Sequence, residues 1–78
     1  GRPDLLQLRA EVALGQRALD EAEQFAIQSF ELGPRLGPLC RRNWAAIKLA
    51  REERGHVEQA AVARVEAERC TQAGVIRM

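Results

Sequence analysis

Apolar residues recur at helical spacing in four blocks along the chain. In the first, Leu5, Leu8, Val12 and Ala13 follow one another at helical intervals, and Leu6, Ala10 and Leu14 widen the stripe. This is the pattern of an amphipathic helix turning one face to a core. Pro3 and Asp4 suit its first turn: a proline loses nothing where the N–H has no helical partner, and an acid favours the positive end of the helix dipole. Gly15 predicts its end or a loosened last turn. The second block restarts near Ala18 or Leu19, carries Asp20, Glu21 and Glu23 early, and repeats through Ala22, Phe25, Ala26, Ser29 or Phe30, and Leu32. Its centre, EAEQFAIQSFELGP at 21–34, alternates small and large apolar residues and stops at Gly33 and Pro34.

The stretch GPRLGP at 33–38 holds two glycines and two prolines, so no helix should cross it unbroken. A third pattern runs from Leu39 through Trp44, Ile47 and Leu49 to Arg54, and Gly55 sits where a left-handed helix cap is expected. The fourth runs from about Val57 through Ala60, Ala61, Ala63, Val65 and Ala67 to Arg69 or Cys70. In the tail TQAGVIRM, Gly74 breaks the pattern. Val75, Ile76 and Met78 read either as the frayed start of another element or as a small patch that docks back.

Composition narrows the class. Apolar residues make up 46% and aromatics 4% of the chain, so the core must be built from Ala, Leu, Val and Ile, with Phe25, Phe30 and Trp44 as its few large pieces. Strong helix formers dominate, and one Ser, one Thr, one Asn and no Tyr leave little for strands or polar turns. An all-α fold follows, and 78 residues allow a single domain near the lower limit for a core-stabilised fold. The formal net charge of +1 does not ask for an acidic partner. No apolar run is long enough to span a bilayer, and GRPDLLQLR lacks the apolar centre of a signal peptide. No compartment is assigned beyond a slight lean to the cytoplasm. A start without Met suggests a processed product or an excised piece of a longer protein.

The four blocks form two pairs that resemble each other when Leu19-Asp-Glu-Ala is laid over Val57-Glu-Gln-Ala, an offset of 38 residues (57 − 19). Repetition at such a period points to a solenoid of helical hairpins. On these residues the chain resembles the tetratricopeptide repeat family, whose units of about 34 residues run W-x2-L-G-x2-Y, then A-x3-F, then A and P. Leu6, Arg9, Ala10, Ala13, Ala22, Ala26, Ser29 and Pro34 fall on its positions in the first unit. Trp44, Ile47, Lys48, Arg51, Ala60, Arg64 and Ala67 do so in the second. The longer offset fits an insertion in GPRLGP, where added loop costs little.

The resemblance implies two stacked antiparallel hairpins: repeat one at about 3–36, a linker at 33–38, repeat two at 39–70 and a tail at 71–78. It implies close helix packing at Ala10, Ala22 and Ala60, and Trp44 packed inside its hairpin. It also implies a non-catalytic protein-interaction scaffold whose concave face, lined by the first helix of each unit, takes a peptide or partner helix. Carried over, that face comprises Gln7, Glu11 and Leu14 with Arg42, Ala45, Leu49 and Glu52. An apolar floor would give affinity, and Glu11, Arg42 and Glu52 would set register. The family's clamp for C-terminal carboxylates uses Lys and Asn; the matched places here hold Gln7, Glu11 and Ala46. The alternative is a structural solenoid segment, or self-association through uncovered apolar end faces.

Other chemistry finds little support. His56 reads as a solvated turn residue, Ser29 and Thr71 lack triad partners, and Glu52 and Glu53 point apart on one helix. The prolines after Gly33 and Gly37 remove donors a phosphate loop needs. No enzyme, metal or cofactor is expected. Arg41, Arg42, Lys48, Arg51 and Arg54 form a basic cluster, but Glu52, Glu53 and Glu58 interrupt it; Lys48 with Glu52 and Arg54 with Glu58 read as surface pairs. Nucleic acid is therefore not expected as a partner. Cys40 and Cys70 are expected as buried free thiols; a disulfide between them is the other reading, since the start of the third helix and the end of the fourth would lie side by side.

Overall fold

The computed structural model describes residues 2–71. Four helices account for them: α1 (Pro3–Gly15), α2 (Leu19–Leu32), α3 (Pro38–Glu53) and α4 (Val57–Arg69). The fold is all-α, two helix-turn-helix hairpins, and GPRLGP interrupts it as expected. The tail reading of Val75, Ile76 and Met78 lies outside the described residues. Among the described residues α3 packs against α1, α2 and α4, whereas α4 packs against no helix but α3. The result is a flat stack of about 42 × 29 × 15 Å.

The two hairpin turns are the same structure repeated. Gln16 and Arg54 close the first helices at φ/ψ of −92°/2° and −91°/2°. Ala18 and His56 open the second at −85°/75° and −87°/73°. The Ala18 N–H donates to the Ala13 carbonyl at 2.9 Å, and the His56 N–H to that of Arg51 at 2.8 Å, the long-range bond that ties off a helix end. Between them lies a left-handed residue, Gly55 at φ 80° as expected and Arg17 at φ 63°. Gly15 is the last residue of α1, as expected.

The core is made chiefly of alanine. Ala10, Ala26, Ala46, Ile47 and Ala63 form one buried cluster, and Ala13, Ala22 and Ala50 another. The close packing expected at Ala10, Ala22 and Ala60 is borne out: all three are buried. The first helix corrects its own stripe, however. Leu5, Leu8 and Val12 lie exposed, while Gln7, Ala10 and Ala13 face inward. Periodicity finds an apolar face, but a neighbour at alanine packing distance selects the small side of the helix. The fourth helix behaves likewise, burying Ala60 and Ala63 and exposing Val57 and Val65.

Trp44 is half-buried and meets the edge of Phe30 at 5.0 Å between ring centroids, with the Arg35 guanidinium 4.2 Å from the Phe30 ring centre. This contact lies between α2 and α3, so Trp44 joins the two hairpins while also packing on the buried cluster that includes Ala63 of its own hairpin. Each hairpin is also fastened at its open end. In the first, the Ser29 hydroxyl donates to the Pro3 carbonyl at 2.7 Å, and Gly33 lies so close that a Cβ there would stand 2.8 Å from the Ser29 carbonyl oxygen and 3.0 Å from the Pro3 Cβ. In the second, the expectation of free thiols is overturned. Cys40 and Cys70 form a disulfide with Cα atoms 5.7 Å apart, because the antiparallel hairpin brings those ends together. The Gly37 N–H donates to the Cys70 carbonyl at 2.9 Å, tying the linker to the same place.

Candidate functional site

Where α1 and α3 run side by side they leave a cleft of about 220 Å³ lined by Glu11, Leu14, Arg42, Ala45, Ala46 and Leu49. Five of these lining residues belong to the face that the sequence reading assigned to a partner. The shared turn geometry explains the agreement: it fixes the register of each helix, and residues three or four apart then share a face. Leu14, Ala45 and Leu49 supply apolar floor. Arg42 supplies a charged rim through a forked pair with Glu11, Nη2 to Oε1 at 3.0 Å and Nε to Oε2 at 3.3 Å, its planar guanidinium matching both carboxylate oxygens. Both side chains are about half exposed, 52% and 43%, so the pair adds at most about 1 kcal/mol to the fold.

Two assigned residues lie elsewhere. Gln7 is buried, 1% exposed, and its amide donates to the Arg42 carbonyl at 3.3 Å. It sets α1 against α3 and is not a partner contact. Glu52 borders a second groove, about 360 Å³, between α3 and α4, together with Lys48, Val57, Ala60, Ala61 and Arg64. This groove has no signature in the sequence as a surface, because its apolar members Val57, Ala60 and Ala61 read as core.

The basic cluster is largely neutralised within the fold. Besides Arg42, Lys48 pairs with Glu52 at 3.2 Å as expected, and Arg51 Nε meets Glu23 Oε2 at 2.9 Å. Arg54 departs from expectation. It pairs with Asp20 and Glu23 across the hairpin boundary and not with Glu58. A neighbour in sequence loses to two carboxylates that tertiary packing brings closer, a contact with no local signature. Arg51 also donates to the Gln59 carbonyl at 3.0 Å, so the network ties α2 and α3 to the start of α4. His56 is exposed at the head of α4.

Among the described residues no group of three or more His, Cys, Asp or Glu side chains is placed to hold a metal ion. No described helix is long and apolar enough to cross a membrane. No family model, curated protein or solved structure matches the chain.

Proposed function

We propose that this chain is a non-catalytic scaffold of the tetratricopeptide-repeat type that holds a peptide or a partner helix in the cleft between α1 and α3. The observation that carries this reading is the cleft itself: apolar floor at Leu14, Ala45 and Leu49, and a rim in which Arg42 and Glu11 offer both signs of charge. Apolar floor supplies affinity and rim charge supplies register and partner choice. An incoming carboxylate would compete with Glu11 for Arg42, and an incoming ammonium would compete with Arg42 for Glu11.

Panning a random-peptide display library on the whole chain tests this. Enriched peptides should lose at least about tenfold in affinity, roughly 1.4 kcal/mol, on Leu49→Lys, weaken on Arg42→Glu, and bind unchanged to Val57→Lys on the far groove. All three positions are exposed, so helicity should hold throughout. Enriched peptides indifferent to both Leu49→Lys and Arg42→Glu would sink the reading.

A second reading, a solenoid segment or self-association module, draws on the uncovered apolar ends, Leu5, Leu8 and Val12 on α1 and Val57 and Val65 on α4. Sedimentation separates the two: a chain that stays strictly monomeric at high concentration argues against self-association.

A further inference from the structure

The groove between α3 and α4 is the image of one that is already filled. Its lining residues stand 38 places after residues of the first hairpin, so that Lys48, Ala60 and Arg64 answer to Ala10, Ala22 and Ala26. In the first hairpin those three alanines seat α3: Ala10 and Ala26 share a buried cluster with Ile47, and Ala22 shares one with Ala50. The second groove keeps the turn geometry, keeps alanine at the Ala22 place, and adds an exposed apolar shelf of Val57 and Ala61. The charge is what changes. Two of the three alanines that seat α3 have become cations, and among the described residues each pairs with an i,i+4 carboxylate on its own helix, Glu52 at 3.2 Å for Lys48 and Glu68 at 3.3 Å for Arg64. Such exposed pairs are weak and readily exchanged.

We propose that the α3/α4 groove docks a partner's amphipathic helix that rests small apolar residues on Val57, Ala60 and Ala61 and directs a carboxylate between Lys48 and Arg64, at the place Ile47 holds in the first groove. A second copy of this chain is a poor occupant. The residue 38 places before Ile47 is Arg9, so α1 of a copy seated in this way would add a third cation. The inference is independent of the α1/α3 cleft, which shares none of the residues on which it rests.

The probe is a capped synthetic peptide with the sequence of α3, residues 38–53, carrying Cys40→Ser and Ile47→Glu; its control carries Cys40→Ser alone. Each is titrated into the whole chain while the amide signals of Val57, Ala60 and Ala61 are followed by NMR. The Glu peptide should bind about tenfold or more tighter than its control, perturb those signals and weaken with added salt. The double variant Lys48→Glu, Arg64→Glu, with helicity checked by circular dichroism, should reverse the preference. Equal or tighter binding of the control, absence of binding by the Glu peptide, or shifts confined to α1 and α2 would overturn the proposal. So would concentration-dependent self-association that moves the same three signals without peptide, which would make a second copy the occupant.

Discussion

The two hairpins share a turn and differ in how their open ends are held. In the first, α1 and the end of α2 meet through one hydroxyl-to-carbonyl bond, Ser29 to Pro3 at 2.7 Å, with Gly33 pressed against the proline. In the second, the corresponding ends are joined covalently by Cys40 and Cys70. The burial of the two hairpins differs in the same direction. α2 packs on both α1 and α3, while α4 packs on no helix but α3. Among the described residues the helix with one helical neighbour is the one held by a disulfide, and the helix with two is closed by a hydrogen bond. A cross-link therefore stands where noncovalent packing is thinnest.

That contrast gives the largest expected effect. The disulfide closes a loop with a sequence separation of 30 residues, for which the chain-entropy model gives about 3–4 kcal/mol. Replacing Cys40 and Cys70 by Ser, or reducing the bond, should lower the midpoint of thermal unfolding by more than about 10 °C, at about 4–8 °C per kcal/mol for a domain of this size. Ser29→Ala should cost only about 1 kcal/mol. Circular dichroism melts of protein purified without reductant would test both. A Ser29→Ala loss equal to the disulfide loss would remove the distinction between the two closures.

How much of this was legible in the sequence depends on whether the deciding interaction is local. The helices and their breaks were, because periodicity, Pro3, Gly55 and GPRLGP act within a turn or two of themselves. The cleft residues Glu11, Leu14, Arg42, Ala45 and Leu49 were as well, since helix geometry projects them from a known register. The outward face of Leu5, Leu8 and Val12 was not, because it depends on which side of α1 a neighbour at alanine distance covers. Gln7 illustrates the same limit: a polar residue on the assigned face was drawn under Arg42 by a carbonyl 35 positions away in sequence. Arg54 found Asp20 and Glu23, again across the hairpin boundary. The cysteines were expected as free thiols because two cysteines with no framework spacing pack as small hydrophobes, and only the placed atoms reveal the bond between them.

The next contrast concerns the two grooves. Ala26 is fully buried where α3 sits, whereas Ala61 lies exposed on the groove between α3 and α4. Ala26→Leu should overpack the filled groove and cost about 1–3 kcal/mol. Ala61→Leu should stay within about 0.5 kcal/mol of the parent. Denaturant midpoints at unchanged slope would show it. If Ala61→Leu were as costly as Ala26→Leu, the second groove would be closed in solution and its proposed occupant would lose its place.

The last contrast concerns the turns, where the hairpins agree in backbone and differ in residue. Gly55 adopts φ 80° without strain, and a Cβ there would meet nothing within 4 Å. Gly55→Ala therefore exposes the left-handed backbone cost alone, about 1–2 kcal/mol. Arg17 already bears that cost at φ 63°. Arg17→Gly removes it but gives up the exposed ion pair to Glu53 and adds the extra chain entropy of glycine, about 0.5–1 kcal/mol. The two losses nearly offset the gain, so the expected outcome is a rise of less than about 1 kcal/mol. Melting the two variants beside the parent should place Gly55→Ala below it and Arg17→Gly at or slightly above it. A clear loss on Arg17→Gly would mean that Arg17, through Glu53, fastens the α1–α2 turn to α3 more firmly than an exposed pair normally does.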